Sequence, residues 1–197
     1  MISPNTRPAP IVCVLAVMVL SASGPRPAQT GENYSRAEAD RVLKAIDRME
    51  AESATGPGAA DRSLELTENE LNSYIAYRIE SEKEEILQEL RLKIFGQNSL
   101  EGRAVIDLSG RKIPPFLKPR MILYFSADLF VQDAKARLEF KELFIEEQKI
   151  QPFMLDVIIN LAARFSGGEP LRLREGVDLP FGIKNIKTGK GSAVFYY

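Results

Sequence analysis

The sequence predicts an α+β fold in which a curved antiparallel sheet of about six strands wraps a long apolar helix, with two further helices at the N-terminal side. Three observations carry this expectation. Gln151 to Phe165 (QPFMLDVIINLAARF) is apolar around almost its whole circumference, interrupted only by Asp156, Asn160 and Arg164, whose i, i+4 spacing gathers them in one narrow stripe. From Ile86 to Phe140 the apolar residues recur mostly with period two, the mark of strands with one wet and one buried face. Leu66 to Tyr74 carries the chemistry of a helix start.

Taken in order, the chain opens with a segment that reads as targeting. Arg7 precedes an apolar run from Ile11 to Leu20, and Ser21-Ala22-Ser23 offers the small residues of a cleavage site. The run is shorter than the roughly 20 residues that span a bilayer. Residues 1–23 are therefore expected to be a signal peptide, with the rest exported to a periplasmic or other extracytoplasmic space, membrane-associated or free. Residues 24–63 are expected to hold a flexible leader, an outer helix and a linker, and residues 64–197 the folded α+β domain. Ser35 is positioned to cap the outer helix, with Glu38 as its capping-box partner and Val42, Leu43, Ile46 and Met49 as its apolar stripe. Ser53 to Ala60 (SATGPGAA) has neither period and reads as linker.

Leu64 to Leu66 is a short extended run. Thr67 and Glu70 then form a capping box, and Leu66 and Leu71 a hydrophobic staple. Leu71, Tyr74, Ile75 and Ile79 make the apolar face of the helix that follows. Capping explains Glu70, and a carboxylate at a helix N-terminus explains Glu68. Neither needs a catalytic role.

Ile86, Leu90, Leu92 and Ile94 alternate with charged residues, Gly96-Gln97-Asn98 turns the chain, and Leu100, Ala104, Ile106 and Leu108 alternate on the return. Met121 to Val131 reads as a strand with apolar residues on both faces (Ile122, Tyr124 and Phe130 on the second), hence central or covered on both sides. Ala134 to Phe140 alternates again, and the slip of phase at Leu143-Phe144-Ile145 points to a bulge or bend. Pro152 starts the apolar helix, and Gly167-Gly168 would stop it. Val177 to Ile186, a turn at Thr188–Gly191 and Ala193 to Tyr197 give a last hairpin.

Composition narrows function. A content of 45% hydrophobic and 27% charged residues suits one globular domain, and a net charge of −1 argues against nucleic acid as partner. The chain has no histidine and only one cysteine, Cys13, which leaves with the signal peptide. No metal and no cofactor is expected. Phosphate-binding loops and the nucleophile elbow are missing. Serine hydrolysis without histidine would need a lysine base, and no such arrangement is expected. Glu84-Glu85 and Glu146-Glu147 read as solvated charges pointing apart on strands. The chain is expected not to be an enzyme.

Two features point to lipid. Gly110 to Arg120 (GRKIPPFLKPR) sets Arg111, Lys112, Lys118 and Arg120 around a proline-stiffened apolar centre that includes Phe116. Such a tip suits an anionic membrane surface, each nearby cation adding about 1 kcal/mol, unless Ile113 and Phe116 instead tuck into the core. The over-apolar helix would line a groove for acyl chains, with Tyr74, Leu123, Phe125, Met154, Ile158 and Phe165 as its expected walls, unless it is a core helix packed on the sheet. Lys184, Lys187 and Lys190 read as a charged edge that discourages strand pairing.

The runs Leu66 to Asn72 (LTENELN) and Leu179 to Ile183 (LPFGI), with the helix led by IEEQKIQPFML, are similar to LmeA-like phospholipid-binding proteins of the bacterial envelope. Over roughly Leu64 to Tyr197 the chain distantly resembles the tubular lipid-binding superfamily. Glu146-Glu147-Gln148 stands where such relatives carry a glycine-rich turn. The resemblance implies noncovalent phospholipid binding in the cell envelope, with no catalytic residues. The rival expectation is an envelope assembly module whose surplus apolar surface meets a partner protein.

Overall fold

The computed structural model describes residues 34–53, 62–83, 85–166 and 173–197. The signal segment, the leader, the linker beyond residue 53 and the Gly167-Gly168 stop lie outside the described residues. The elements are α1 (Arg36–Ser53), β1 (Ser63–Thr67), α2 (Glu68–Ser81), β2 (Leu87–Ile94), β3 (Ser99–Asp107), β4 (Arg120–Gln132), β5 (Lys135–Ile145), β6 (Gln148–Lys149), α3 (Pro152–Ser166), β7 (Val177–Asp178), β8 (Asn185–Gly189) and β9 (Ser192–Tyr196). The fold is α+β, with a strongly curled antiparallel sheet that forms a half-barrel, and three helices.

The main sheet runs β2-β3-β4-β5-β6, and β7 pairs with β5 at the end of that strand opposite β6. The tail hairpin does not join it. Strands β8 and β9 pair with β1 in a separate three-stranded sheet of order β1-β9-β8. The turns from β2 to β3 and from β4 to β5 are tight. Gln97 and Asn98 turn β2 into β3, and Asp133 and Ala134 turn β4 into β5, each with φ between 52° and 61°, as two-residue turns between right-twisted strands require.

One face of the sheet carries Leu92, Leu100, Ile106, Met121, Leu123, Leu129 and Leu138, all buried in one core with Leu155, Ile158 and Ile159 of α3. Strand β4 is central as expected, between β3 and β5, but it is not covered on both sides. Tyr124 and Phe130 on its other face are each 40% exposed, and the Arg137 guanidinium lies 4.8 Å from the Phe130 ring centre. The register shift between β4 and β5 falls at Ser126/Ala127, with Lys141 the extra residue. The bulge thus precedes the phase slip by two residues, and the Lys141 ammonium is held by Asp128 at 2.7 Å. Gly102 lies under the Phe125 ring so closely that a Cβ there would meet the ring at 2.1 Å.

The helix-start chemistry is present in full. Thr67 caps α2, Glu70 closes the capping box, and Leu66 and Leu71 are both buried. The same helix also seals the edge of the main sheet. Glu68 accepts from the Ile94 N–H at 2.7 Å. Asn72 accepts from the Leu92 N–H and donates to its carbonyl, both at 2.8 Å. Four helical residues advance about 6 Å and two strand residues about 6.6 Å, so side chains at i and i+4 meet alternate residues of the strand. The Gly191 N–H bonds the Ile94 carbonyl at 3.0 Å, and the Thr188 hydroxyl bonds the Phe95 carbonyl. The LTENELN run and the Thr188–Gly191 turn therefore form one clasp between the two sheets.

Removing the Asn72 amide leaves two strand-edge groups without their partner. Asn72→Ala should lower unfolding free energy by about 1–3 kcal/mol, measured by urea denaturation. A change within 0.5 kcal/mol, by the ordinary scatter of surface substitutions, would remove the clasp from the list of what holds the fold together.

Ser35 caps α1, but Glu38 does not reach back to it directly. The Ser35 N–H donates to Ser73 Oγ at 3.1 Å, and Ser73 donates to Glu38 at 2.8 Å. The box is closed through a serine of α2 that is wholly buried. This ties the outer helix to the domain, and Val42, Ile46 and Met49 join the common core.

Candidate functional site

The link from β3 to β4 is built as a fixed projection. Its base closes with the Leu108 N–H on the Pro119 carbonyl at 2.6 Å, and its tip with the Leu117 N–H on the Pro114 carbonyl at 3.0 Å. Leu108 and Leu117 are buried, and Ile113 packs against the core half-buried. Phe116 is left outside, 60% exposed. The tip anchors itself with Ile113 and Leu117 and displays the phenylalanine. At the base, hydrogen bonds from the Ser109 hydroxyl and then its N–H hold the Asp107 carboxyl below the 3.8 of an unperturbed aspartate, and Arg120 and Arg111 add to the effect.

The four cations of this stretch divide into two kinds. Arg111 is structural: it donates to Glu85 at 3.0 Å, and its guanidinium lies 5.4 Å from the Phe165 ring centre. Lys112, Lys118 and Arg120 are exposed, and none makes an ion pair among the described residues.

Beside the tip lies a cleft of about 620 Å³, within the usual range of small-ligand sites, about 300–1,000 Å³. One wall is Phe116, Leu117 and Lys118. The second is Ile145, Glu146, Glu147 and Gln148, and the third is Ile150, Phe153 and Met154 at the start of α3. Leu117 and Ile150 are buried and form the floor, whereas Phe153 at the rim is 61% exposed. Glu146-Glu147 is not part of a strand. It is the two-residue turn between β5 and β6, with Glu146 at φ 56°. The turn is pinned by the Glu146 N–H on the Ile122 carbonyl at 2.8 Å and the Ile150 N–H on the Leu143 carbonyl at 2.9 Å.

Of the six residues expected to line a groove, the structure brings Met154 alone into this cleft. Tyr74, Leu123 and Ile158 are buried in the packed core, where the Tyr74 hydroxyl accepts from Arg78 at 3.2 Å. Phe125 is half-buried edge-on to Phe140, with ring centres 5.7 Å apart, and Phe165 is half-buried under Arg111. Of the expected head-group contacts, Phe116 and Lys118 line the cleft, Lys112 lies on its loop, Arg120 opens β4 and Arg111 is held inward. Helix α3 buries one stripe, Leu155, Ile158, Ile159 and Ala163. An adjacent stripe, Met154, Val157, Leu161 and Phe165, is only half-covered.

The sequence reading missed Leu117, Ile145, Glu146, Glu147, Gln148, Ile150 and Phe153 as lining residues. The signal was present in the broken alternation after Leu143, which ends a strand, and in Phe153 standing in the first helical turn away from the buried stripe. It also overlooked one Ser-x-x-Lys spacing, Ser109 to Lys112. Both residues are exposed on the loop, and no hydrogen bond joins them among the described residues. Glu68 and Glu70 are engaged in the clasp and the cap. No protein-family model, no curated protein and no solved structure matches the chain.

Proposed function

We propose that this is an exported, non-enzymatic protein of the cell envelope that binds a lipid by an acyl chain, held in the cleft between the Ile113–Leu117 tip and the start of α3. The observation that carries the reading is the placement of Phe116 and Phe153. Two of the most exposed large apolar side chains among the described residues stand on the rim of one apolar-floored cleft. Exposed apolar surface gathered at one place marks an interaction site. A methylene takes about the volume of a water molecule, about 30 Å³, so the cleft accommodates about twenty such groups, the bulk of a single acyl chain. Lys112, Lys118 and Arg120 face an anionic membrane surface in this reading, and Phe116 dips into the head-group layer. The half-covered stripe of α3, with the sheet curled about it, extends the apolar path. The similarity of LTENELN and LPFGI to LmeA-like proteins agrees with this reading.

The test is uptake of a fluorescent acyl-chain lipid from vesicles by protein purified without detergent. Saturable uptake near one lipid per chain is expected. A protein that takes up none, and instead co-purifies with a stoichiometric protein partner, would make the cleft an assembly surface.

A further inference from the structure

Resting on the lipid reading, we infer that the mouth of the cleft selects a phospholipid whose head group carries a primary ammonium beside its phosphate. Side chains of both signs line the one cleft. Lys118 comes from the loop before β4, and Glu146 and Glu147 from the β5–β6 turn. No ion pair joins Lys118 to either carboxylate among the described residues, so the opposed charges line one space without closing it. Among the described residues Glu146 accepts a single long bond, 3.4 Å, from the Ile122 N–H, and Glu147 is exposed with no ion pair. The neighbouring Lys149 is turned away toward Glu142 and the Phe144 ring, so it does not neutralise the acidic wall.

A dipolar group spanning the mouth satisfies both walls. Its phosphate accepts from Lys118, and its ammonium donates to Glu146 and Glu147, while the acyl chain lies over Leu117 and Ile150. A head group with phosphate alone would meet two carboxylates against one lysine, and like charges drawn close are unfavourable. An uncharged head group would leave the charges of both walls without partners. A primary ammonium also supplies three hydrogen-bond donors, whereas a trimethylated ammonium has none.

Vesicles of phosphatidylethanolamine, phosphatidylglycerol and phosphatidylcholine in equal parts, with identical acyl chains, separate the possibilities. The full mature chain is incubated with them, recovered, and its bound lipid identified by native mass spectrometry. The ethanolamine lipid is expected at least fivefold over the glycerol lipid and enriched over the choline lipid. In the double variant Glu146→Gln, Glu147→Gln the first ratio should fall to one or below. Uptake at a ratio of one or below in the wild type, or a ratio that the double variant leaves unchanged, overturns the head-group assignment and leaves acyl-chain binding standing. No uptake of any of the three overturns both.

Discussion

Ile158→Ala is expected to destabilise the protein by about 2–5 kcal/mol, the usual loss when a large buried aliphatic side chain is cut to alanine. Ile158 is completely buried on α3, in the same core as Leu123 of β4. Deleting its side chain leaves a cavity that close-packed neighbours refill only in part. For a chain of this size each kcal/mol shifts the melting temperature by roughly 2–4 °C, so a drop of roughly 5–15 °C should appear in thermal denaturation. Lipid uptake at a temperature where the variant is folded should stay near that of the wild type. A small stability loss together with a large fall in uptake would mean that the interior between sheet and helix opens to receive the ligand.

Met154→Arg is expected to do the opposite. Met154 is half-buried in the first turns of α3 and is part of the cleft wall. An arginine there can lay its stem along the wall and carry its head to water, so the fold should survive with a stability change under about 1 kcal/mol. A guanidinium at the acyl path must be desolvated or displaced before a chain can enter, and uptake should fall at least tenfold. Circular dichroism with the vesicle assay measures both quantities on one preparation. Undiminished uptake in a folded variant would exclude Met154 from the path.

The sequence was most legible where one local rule decides the outcome. Thr67 with Glu70, Leu66 with Leu71, the alternation of β2 to β5 and the turn at Gln97-Asn98 depend on neighbours a few residues away, and the structure has each of them. The pairing of β1 with β9 joins residues more than a hundred positions apart, and no local pattern encodes which edge the tail hairpin seeks. The second role of the LTENELN run is hidden for the same reason. Glu68 and Asn72 satisfy helix-start and solvent-face expectations by themselves, and only the curl of the sheet brings Ile94 and Leu92 within reach.

The cleft was legible in its pieces and not in its assembly. The basic, proline-stiffened tip was visible, yet both Phe116 and Leu117 are apolar, and packing alone decides that Leu117 goes in and Phe116 stays out. Ile158 and Met154 look equivalent on an all-apolar helix. The buried stripe takes one, and the short turn at Glu146-Glu147 leaves the other beside open space. Arg111 looks like its basic neighbours until Glu85 and Phe165 claim it.

Direct identification of what the native protein carries bears most on lipid binding in the cleft. The mature chain, expressed in an envelope-containing cell and purified without detergent, should show by native mass spectrometry a population heavier than the polypeptide by the mass of one lipid. Solvent extraction should recover that lipid, and Met154→Arg prepared in parallel should lack it. A wild-type protein that arrives at its bare polypeptide mass and stays bare after exposure to vesicles would contradict a lipid role for the space between Phe116 and Phe153.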